Sequence, residues 1–470
     1  MYGICGIADP NESQTEESLL RSMLPLLNRR EPEDEGCLIQ PGVAMGHHRQ
    51  SIIGLAEKGP QPMVDDELGL SAVYNGKIHN YRELKRDLMA MGYRFFSDSD
   101  TEVLLKAYHA WGNTFVTRLF GMFAFCLYDG NRKQYLLGRD RLGGKPLYYA
   151  EEGDTFYFAS DIRSLKRAGV VSPRLSKRAL HYYLSFHGVI PAPWTIFENV
   201  RKLEPATLLT IDSEGRKRKR SYWKLNFDEK WDLSEAEWIE RLLDALETSV
   251  KRQMASDAPV GALLSGGVDS SMIVALMARL KPGSLRTYSI GFEEVAGEEG
   301  NEFRYSDLIA DTFGTDHCKI FIDSQELLPR LKDCIRSMAE PLTSHDTIGF
   351  YLLAREVSRE TRVVLSGQGA DEVFAGYHWY PKVNSGSGHP ADLYEKAFFD
   401  RDHAEILEAL APEYHGENWA RQFVRNHFGL PGASRPVDQA LRLDTTVMLV
   451  EDPLKRVENM TTCWGLEVRV

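Results

Sequence analysis

The stretch Val260-Gly261-Ala262-Leu263-Leu264-Ser265-Gly266-Gly267-Val268-Asp269-Ser270-Ser271 constrains this chain more than any other. It starts as a short apolar run bounded by small residues, which reads as a buried strand. It then breaks at Ser265-Gly266-Gly267, after which Met272, Ile273, Ala275, Leu276 and Leu280 recur at helical spacing. A strand, a glycine turn and a helix aim main-chain N–H groups and a helix N-terminus at an anion. Glycines let the backbone approach phosphate closely, and Ser265, Ser270 and Ser271 add hydroxyl donors. Asp269 would repel phosphate, so its carboxylate is expected to hold Mg2+, which bridges phosphate oxygens. No Gly-Lys-Ser or Gly-Lys-Thr follows, which separates the turn from a Walker loop.

From Ser234 onward, helical patterns alternate with short strands at Ala262–Leu264, Thr287–Ile290, Lys319–Ile322 and Arg362–Leu365, which predicts a parallel sheet with helices on both faces. Ser234 and Glu237 form a capping box ahead of Trp238, Ile239, Leu242, Leu243 and Leu246, and mark where this part starts. Its second motif runs from Val363 to Tyr377: a strand, the turn Ser366-Gly367-Gln368-Gly369, then Asp371 and Glu372. Ligands of parallel sheets bind at the carboxyl ends of the strands, so two such turns can face each other. Asp371 is then placed to share a Mg2+ with Asp269, and Ser366-Gly367 to line a nucleotide. The first turn resembles the pyrophosphate loop of the ATP pyrophosphatases, which cleave ATP between the α- and β-phosphates.

Residues 1 to about 210 read as β-rich, with apolar or β-branched runs at Leu70–Tyr74, Met122–Tyr128, Gln134–Leu137 and Thr155–Ala159. Tyr81–Met91 and Glu102–Trp111 have helical periodicity. With 470 residues, two domains are expected: residues 1–211, a polar linker over 212–233, and 234–470. The net charge of −12 argues against a nucleic-acid partner, and the basic run Arg216–Arg220 reads as a solvated hairpin tip. Six scattered cysteines without CxxC pairs fit a reducing cytoplasm, and no apolar run is long enough to cross a membrane.

Both turns, together with Met460–Val470, resemble the synthetase domain of the asparagine synthetase-type amidotransferases. Gly46–Ile52, Tyr74-Asn75-Gly76, Ser99–Glu102, Gly121–Phe125 and Gly138–Gly143 resemble the family's class II glutaminase domain. Leu184–Pro193, Glu298–Ser306, Ser344-His345-Asp346 and Gly376–Tyr380 are similar to a narrower branch, the N-acetylglutaminylglutamine amidotransferases, which make the terminal amide of an osmoprotective dipeptide. The resemblance implies an α/β protein: an N-terminal four-layer αββα glutaminase of the N-terminal-nucleophile type, and a doubly wound parallel-sheet ATP pyrophosphatase domain. It implies that a carboxylate attacks the α-phosphate of ATP-Mg2+, and that ammonia then displaces AMP. Ser265, Gly266, Gly267, Asp269, Ser270 and Ser271 are implied in pyrophosphate and metal binding, Leu263, Ile290, Ser366 and Gly367 in nucleotide binding, and Asp371 in metal binding. In the glutaminase half the implied roles are Arg49 for the glutamine carboxylate, Asn75 and Gly76 as oxyanion donors, and Asp100 for the glutamine amine. A homodimer is implied as well.

The chain departs from this pattern in places. Position 2 is Tyr2 where the family's nucleophilic cysteine is expected, and a phenol near pKa 10 is a poor substitute. A disabled glutaminase follows, with free ammonia as nitrogen source. The alternative is Cys5, a second Cys-Gly-Ile start exposed if Met1–Ile4 were removed. Arg30-Glu31-Pro32-Glu33 and Lys77 also differ from the family pattern. Gln368 stands where relatives carry a glutamate base, leaving Glu372 or Glu340 to take its place. The chain stops at Val470, where the family continues, so the second domain reads as truncated. Asparagine synthetase itself, with aspartate as acceptor, and a non-catalytic relative that binds nucleotide or glutamine both stay open. His317, His345 and His378 lack metal-like spacing and read as structural or substrate-facing.

Overall fold

The computed structural model describes residues 2–10, 17–27, 34–49, 59–256, 258–283, 285–293, 300–342, 344 and 346–470. The chain divides into two compact units, residues 1–51, 55–225 and 399–423 in the first and 52–54, 226–398 and 424–470 in the second.

The first unit is built on two antiparallel sheets of six strands each. Its strands are β1 (Tyr2–Ala8), β2 (Asp34–Gln40), β3 (Val43–Arg49), β4 (Met63–Asp65), β5 (Leu70–Ile78), β6 (Gly121–Asp129), β7 (Gln134–Arg139), β8 (Tyr148–Glu152), β9 (Thr155–Ala159), β10 (Arg201–Lys202), β11 (Thr207–Ile211) and β12 (Lys217–Ser221). One sheet has the order β10-β8-β9-β1-β3-β2, the other β12-β11-β7-β6-β5-β4. Alternating residues of both sheets, among them Ile4, Met45, Val73, Ala124, Leu137, Phe156, Phe158 and Leu209, share one buried core. A second core joins β5 and β6 to α2 (Tyr81–Ala90) and α3 (Asp100–Trp111), while α1 (Glu17–Met23) packs against β1 and β3. Helix α3 starts at Ser99, whose side chain accepts from the amide of Thr101.

The expected linker is partly strand. Lys217–Ser221 forms β12, paired along β11, behind a turn closed by the Gly215 amide on the Asp212 carbonyl at 2.9 Å. All five β12 residues are exposed at the sheet edge, where Lys217 pairs with Glu151 and Lys219 with Glu204. Residues 399–423 return to the first unit rather than staying with the second. Phe399 meets Phe186 at 5.1 Å between ring centroids, the Asp400 amide donates to the Ser185 carbonyl at 3.0 Å, and His181 Nε2 lies 3.1 Å from the Tyr414 carbonyl.

The second unit holds five parallel strands: β13 (Val260–Leu263), β14 (Arg286–Phe292), β15 (Asp316–Ile322), β16 (Val363–Leu365) and β17 (Glu467–Arg469). Their order is β15-β14-β13-β16-β17, so the chain leaves β13 toward one side and returns at β16 on the other. Ala262, Leu264 and Leu365 face a core with Val250, Val274, Met277 and Ala310. Leu263, Val364 and Val468 face the opposite core with Leu353, Val357 and Val457. That alternation is why helices cover both faces of this parallel sheet. The capping box of Ser234 and Glu237 forms at the start of the helix Glu235–Gln253, with the Glu237 carboxylate accepting from the Ser234 amide at 2.8 Å. Among the described residues no helix is long and apolar enough to cross a membrane, and all six cysteines are free.

Candidate active site

Strand β13 ends at Leu263 and its chain enters the helix Val268–Leu280 through Leu264–Gly267. Ser270 ties this turn down: its Oγ accepts from the Ser265 amide at 3.2 Å, lies 3.0 Å from Ser265 Oγ and donates to the Gly267 carbonyl at 3.2 Å. The Gly267 amide donates back to Ser265 Oγ at 3.2 Å. Gly267 is the helix's N-cap and supplies no side-chain acceptor, which leaves the first-turn N–H groups for a ligand. The buried Ser271 Oγ has no hydrogen-bond partner among the described residues. Gly266 has φ +91°, and a Cβ there would lie 2.6 Å from the Ser306 amide nitrogen and 2.5 Å from Tyr305 Cβ, so only glycine fits.

The second turn follows β16. A Cβ on Gly367 would sit 2.7 Å from the Ser270 amide nitrogen and 2.9 Å from the Asp269 carbonyl carbon. The second turn therefore touches the start of the helix that follows the first, at the point where strand order reverses. Ser366 is held by its amide on the Arg469 carbonyl at 2.8 Å, and its Oγ accepts from the Gln368 amide at 3.3 Å. Burial and the negative charge of Asp371 hold the Asp269 carboxyl above the usual carboxylate range. A cation beside Asp269 and Asp371 would relieve that repulsion, so the pair fits Mg2+, an ion that commonly takes one or two carboxylates and completes its shell with phosphate and water. Among the described residues no group of three or more His, Cys, Asp or Glu side chains could hold a metal by itself. Leu263 and Ile290 belong to neighbouring strands and pack in one apolar cluster beneath the turns.

Glu372 is buried and its carboxyl is raised, chiefly by burial; Tyr377 donates to it at 2.8 Å, and the Thr445 hydroxyl donates to its carbonyl at 2.8 Å. Glu340 is committed elsewhere: it faces the buried Lys455 at 3.5 Å, which also lies 3.6 Å from Glu451. Tyr377 is the residue here that sequence reading missed as a partner of Glu372; the helix-breaking Ala375-Gly376 that brings it back, with Ala375 at φ +60°, was the available signal.

In the first unit, Asn75 is buried on β5 and donates from Nδ2 to Ser160 Oγ at 3.3 Å. Gly76 has φ +133°, and a Cβ there would lie 2.0 Å from the Met122 carbonyl oxygen. Asp100 accepts from the Ile78 amide at 3.1 Å and from the Tyr74 hydroxyl at 3.5 Å. Its Oδ2 also lies 3.4 Å from Lys77 Nζ, which itself sits 4.4 Å over the Tyr81 ring. The sequence marked Lys77 as a departure but gave no partner for it. The Gly138–Gly143 string is a structural clamp: Arg139 donates to the carbonyls of Lys145, Leu203 and Gly143, and buried Asp140 accepts from the amides of Phe123, Leu142 and Gly144.

Cys5 does not form an accessible chain start in this fold. It lies mid-strand in β1 between Gly46 and Ala159, fully buried, and burial pushes its thiol well up, with Cys37 and Glu35 adding to the rise. Removing Met1–Ile4 would strip residues that pair with β3 from Tyr2 opposite Arg49 to Ile4 opposite His47. The side chains of Tyr2 and Arg49, and residues Arg30–Glu33 and His345, lie outside the described residues.

Two glycine turns, one of them acidic, meet at a parallel sheet's switch point on a chain that also carries a two-sheet antiparallel unit. Residues 1–223 match the glutamine amidotransferase domain family and residues 241–470 match the asparagine synthase family. The chain belongs to the asparagine synthetase family. It is 35% identical to asparagine synthetase [glutamine-hydrolyzing] 1 of Bacillus subtilis (strain 168), over 81% of this chain and 59% of that protein. It is 32% identical to asparagine synthetase [glutamine-hydrolyzing] 3 of the same organism, over 100% of this chain and 79% of that protein. A putative asparagine synthetase [glutamine-hydrolyzing] 2 of Methanocaldococcus jannaschii is 35% identical over 80% of this chain and 76% of that protein.

Proposed function

We propose that this chain adenylates a substrate carboxylate with ATP and converts it to an amide with ammonia. The contact of Gly367 with Asp269 and Ser270 carries this reading, because it brings a phosphate-binding turn and a second acidic turn into one place. The carboxylate oxygen attacks the α-phosphorus of ATP, the α–β bridge breaks and pyrophosphate leaves toward Ser265–Ser271. Asp269 and Asp371 would hold Mg2+, which when bound neutralises phosphate charge. Ammonia then attacks the acyl carbon, AMP leaves, and the nitrogen's surplus proton goes to a base. Gln368 cannot take that proton; Glu372, raised by burial, is the better of the two acids, since Glu340 is paired with Lys455.

In our reading the glutaminase half does not hydrolyse glutamine. Tyr2 stands where the nucleophile belongs, Cys5 is buried, and Lys77 already neutralises Asp100, the carboxylate expected to receive the glutamine amine. The sheets and flanking helices support the four-layer reading of this half. We read the acceptor as the terminal carboxylate of N-acetylglutaminylglutamine, on the strength of Leu184–Pro193 and Gly376–Tyr380, which implies a cytoplasmic, osmoprotective role. Aspartate is the second reading, favoured by the asparagine synthetases that the chain matches at 32–35% identity. The test is to give the purified protein ATP and Mg2+ with each acceptor, and ammonia or glutamine, and to identify products by mass spectrometry. Amide formation with ammonia and the dipeptide supports the reading; amide formation from aspartate alone, or robust turnover with glutamine, overturns its finer parts.

A further inference from the structure

His317 lies on β15, the edge strand, with its ring only 8% exposed. Its Nδ1 is 2.9 Å from Thr287 Oγ1, and its Nε2 is 3.2 Å from Ser306 Oγ and 3.3 Å from Ser289 Oγ. Thr287 and Ser289 alternate on β14 and so point to the same face, while Ser306 comes from the helix Phe303–Phe313. Each serine hydroxyl already spends its single hydrogen on a carbonyl: Ser289 donates to Leu264, and Ser306 to Phe303 at 3.2 Å. Toward His317 both serines are therefore acceptors, so Nε2 carries the ring hydrogen. Nδ1 then accepts from Thr287, whose oxygen is in turn 2.9 Å from Thr315 Oγ1. The ring's two nitrogens and the three hydroxyls around them form one closed network for the neutral imidazole.

Both serines reach the nucleotide turn, Ser289 through its hydroxyl and Ser306 through its main-chain amide. Ser289 holds the Leu264 carbonyl, one residue before Ser265. The Ser306 amide is the surface on which Gly266 rests, where a Cβ would come within 2.6 Å. We propose that His317 is the positioning residue of the pyrophosphate-binding turn: through its Nε2 hydrogen it fixes Ser289 and Ser306, and through them the Leu264–Gly266 backbone that meets ATP. The inference rests on the ATP-binding reading of that turn. His317 acts in this proposal through Ser289 and Ser306.

The neutral ring is favoured by its setting. Burial lowers the imidazole's basicity, and Lys319 on its own strand adds to this; Asp307, 4.0 Å from Nε2, the main chain of Thr287, and Asp311 oppose it. Protonation would place a hydrogen on Nδ1 and force the Thr287 hydroxyl to turn.

The experiment separates the two nitrogens. A glutamine at 317 can present its amide near Nε2, whereas an asparagine reaches only as far as Nδ1. ATP-Mg2+ binding by calorimetry and KM for ATP are measured for wild type, H317Q and H317N, with thermal melting as a check on folding. H317N is expected to raise Kd and KM for ATP about tenfold, with a smaller change in kcat, and H317Q to stay within about threefold of wild type, as befits one or two lost hydrogen bonds. If H317N binds ATP as wild type does, or if both variants lose binding equally at unchanged melting temperature, His317 does not position the turn. A wild-type chain that does not bind ATP overturns the proposed function and this inference with it, which distinguishes the two failures.

Discussion

Gly367 lies in the turn after β16 and Ser270 in the first turn of the helix Val268–Leu280, far apart in the chain, yet a methyl group on Gly367 would lie 2.7 Å from the Ser270 amide nitrogen. The two nearest atoms it would meet are main chain, which cannot swing aside. G367A is therefore expected to part the turns, lowering stability by about 1–3 kcal/mol, as overpacking does. The displacement of the phosphate-binding amides is expected to lower pyrophosphate release about 10²-fold, the scale of a misplacement near 1 Å. Steady-state pyrophosphate assays and urea unfolding on the same preparation check both parts.

Lys77 and Asp100 give a second expectation. Their side chains are 15% and 8% exposed, so the pair is largely out of solvent. Glutamine is expected to leave the melting temperature of the wild type unchanged, because Asp100 already has its cation. Y2C alone is expected to remain without glutaminase activity, whereas Y2C combined with K77E, which frees Asp100, gains it. Glutamate release from glutamine reads this out. Activity in Y2C alone would show that Lys77 does not block the pocket.

Glu372 is assigned to the second half-reaction only. In E372Q, amide formation with ammonia is expected to fall about 10²-fold, within the usual range for a general base. AMP and pyrophosphate continue to appear, since adenylation does not need that carboxylate. Parallel assays of AMP and amide separate the two steps.

Asp444 makes stability depend on pH. It is fully buried and accepts from the hydroxyls of Tyr380, at 2.7 Å, and Tyr394, and from the Trp379 indole at 3.3 Å. Burial lifts its carboxyl from 3.8 to about 6, against the opposing pull of those three donors. Between these values the folded protein holds a proton that the unfolded chain releases. This stability is fully present below pH 3.8 and is lost as pH rises through about 6. The loss is about 3 kcal/mol, since each tenfold difference in proton affinity between the folded and unfolded chain is worth about 1.4 kcal/mol. Urea unfolding across that window is expected to show the fall in wild type and its disappearance in D444N.

Much of this was legible in the sequence because the second unit's punctuation is local. Small residues between an apolar run and a helical period announce a strand–turn–helix, and the observed β13 and its helix follow it closely. The capping box at Ser234 needs only residues three apart. What was not legible depends on partners remote in the chain. His317 read as merely structural or substrate-facing because its hydroxyl partners lie on β14 and on another helix. Lys77 read as an oddity because Asp100 starts a different element. The return of residues 399–423 to the first unit gave no local sign, since aromatic packing of Phe399 against Phe186 carries no periodic pattern. Strand β17 has only three residues, too few to show alternation, and is fixed by its pairing with β16.

In the proposed reaction Asp269 and Asp371 serve one nucleotide. The most direct measurement is the product pair from ATP in wild type, D269N and D371N, with Mg2+, ammonia and the acceptor dipeptide. AMP and pyrophosphate are expected in step with amide in the wild type, and all three are expected to be lost in either variant. ADP and phosphate as products, or full AMP formation in one of the two variants, would contradict it.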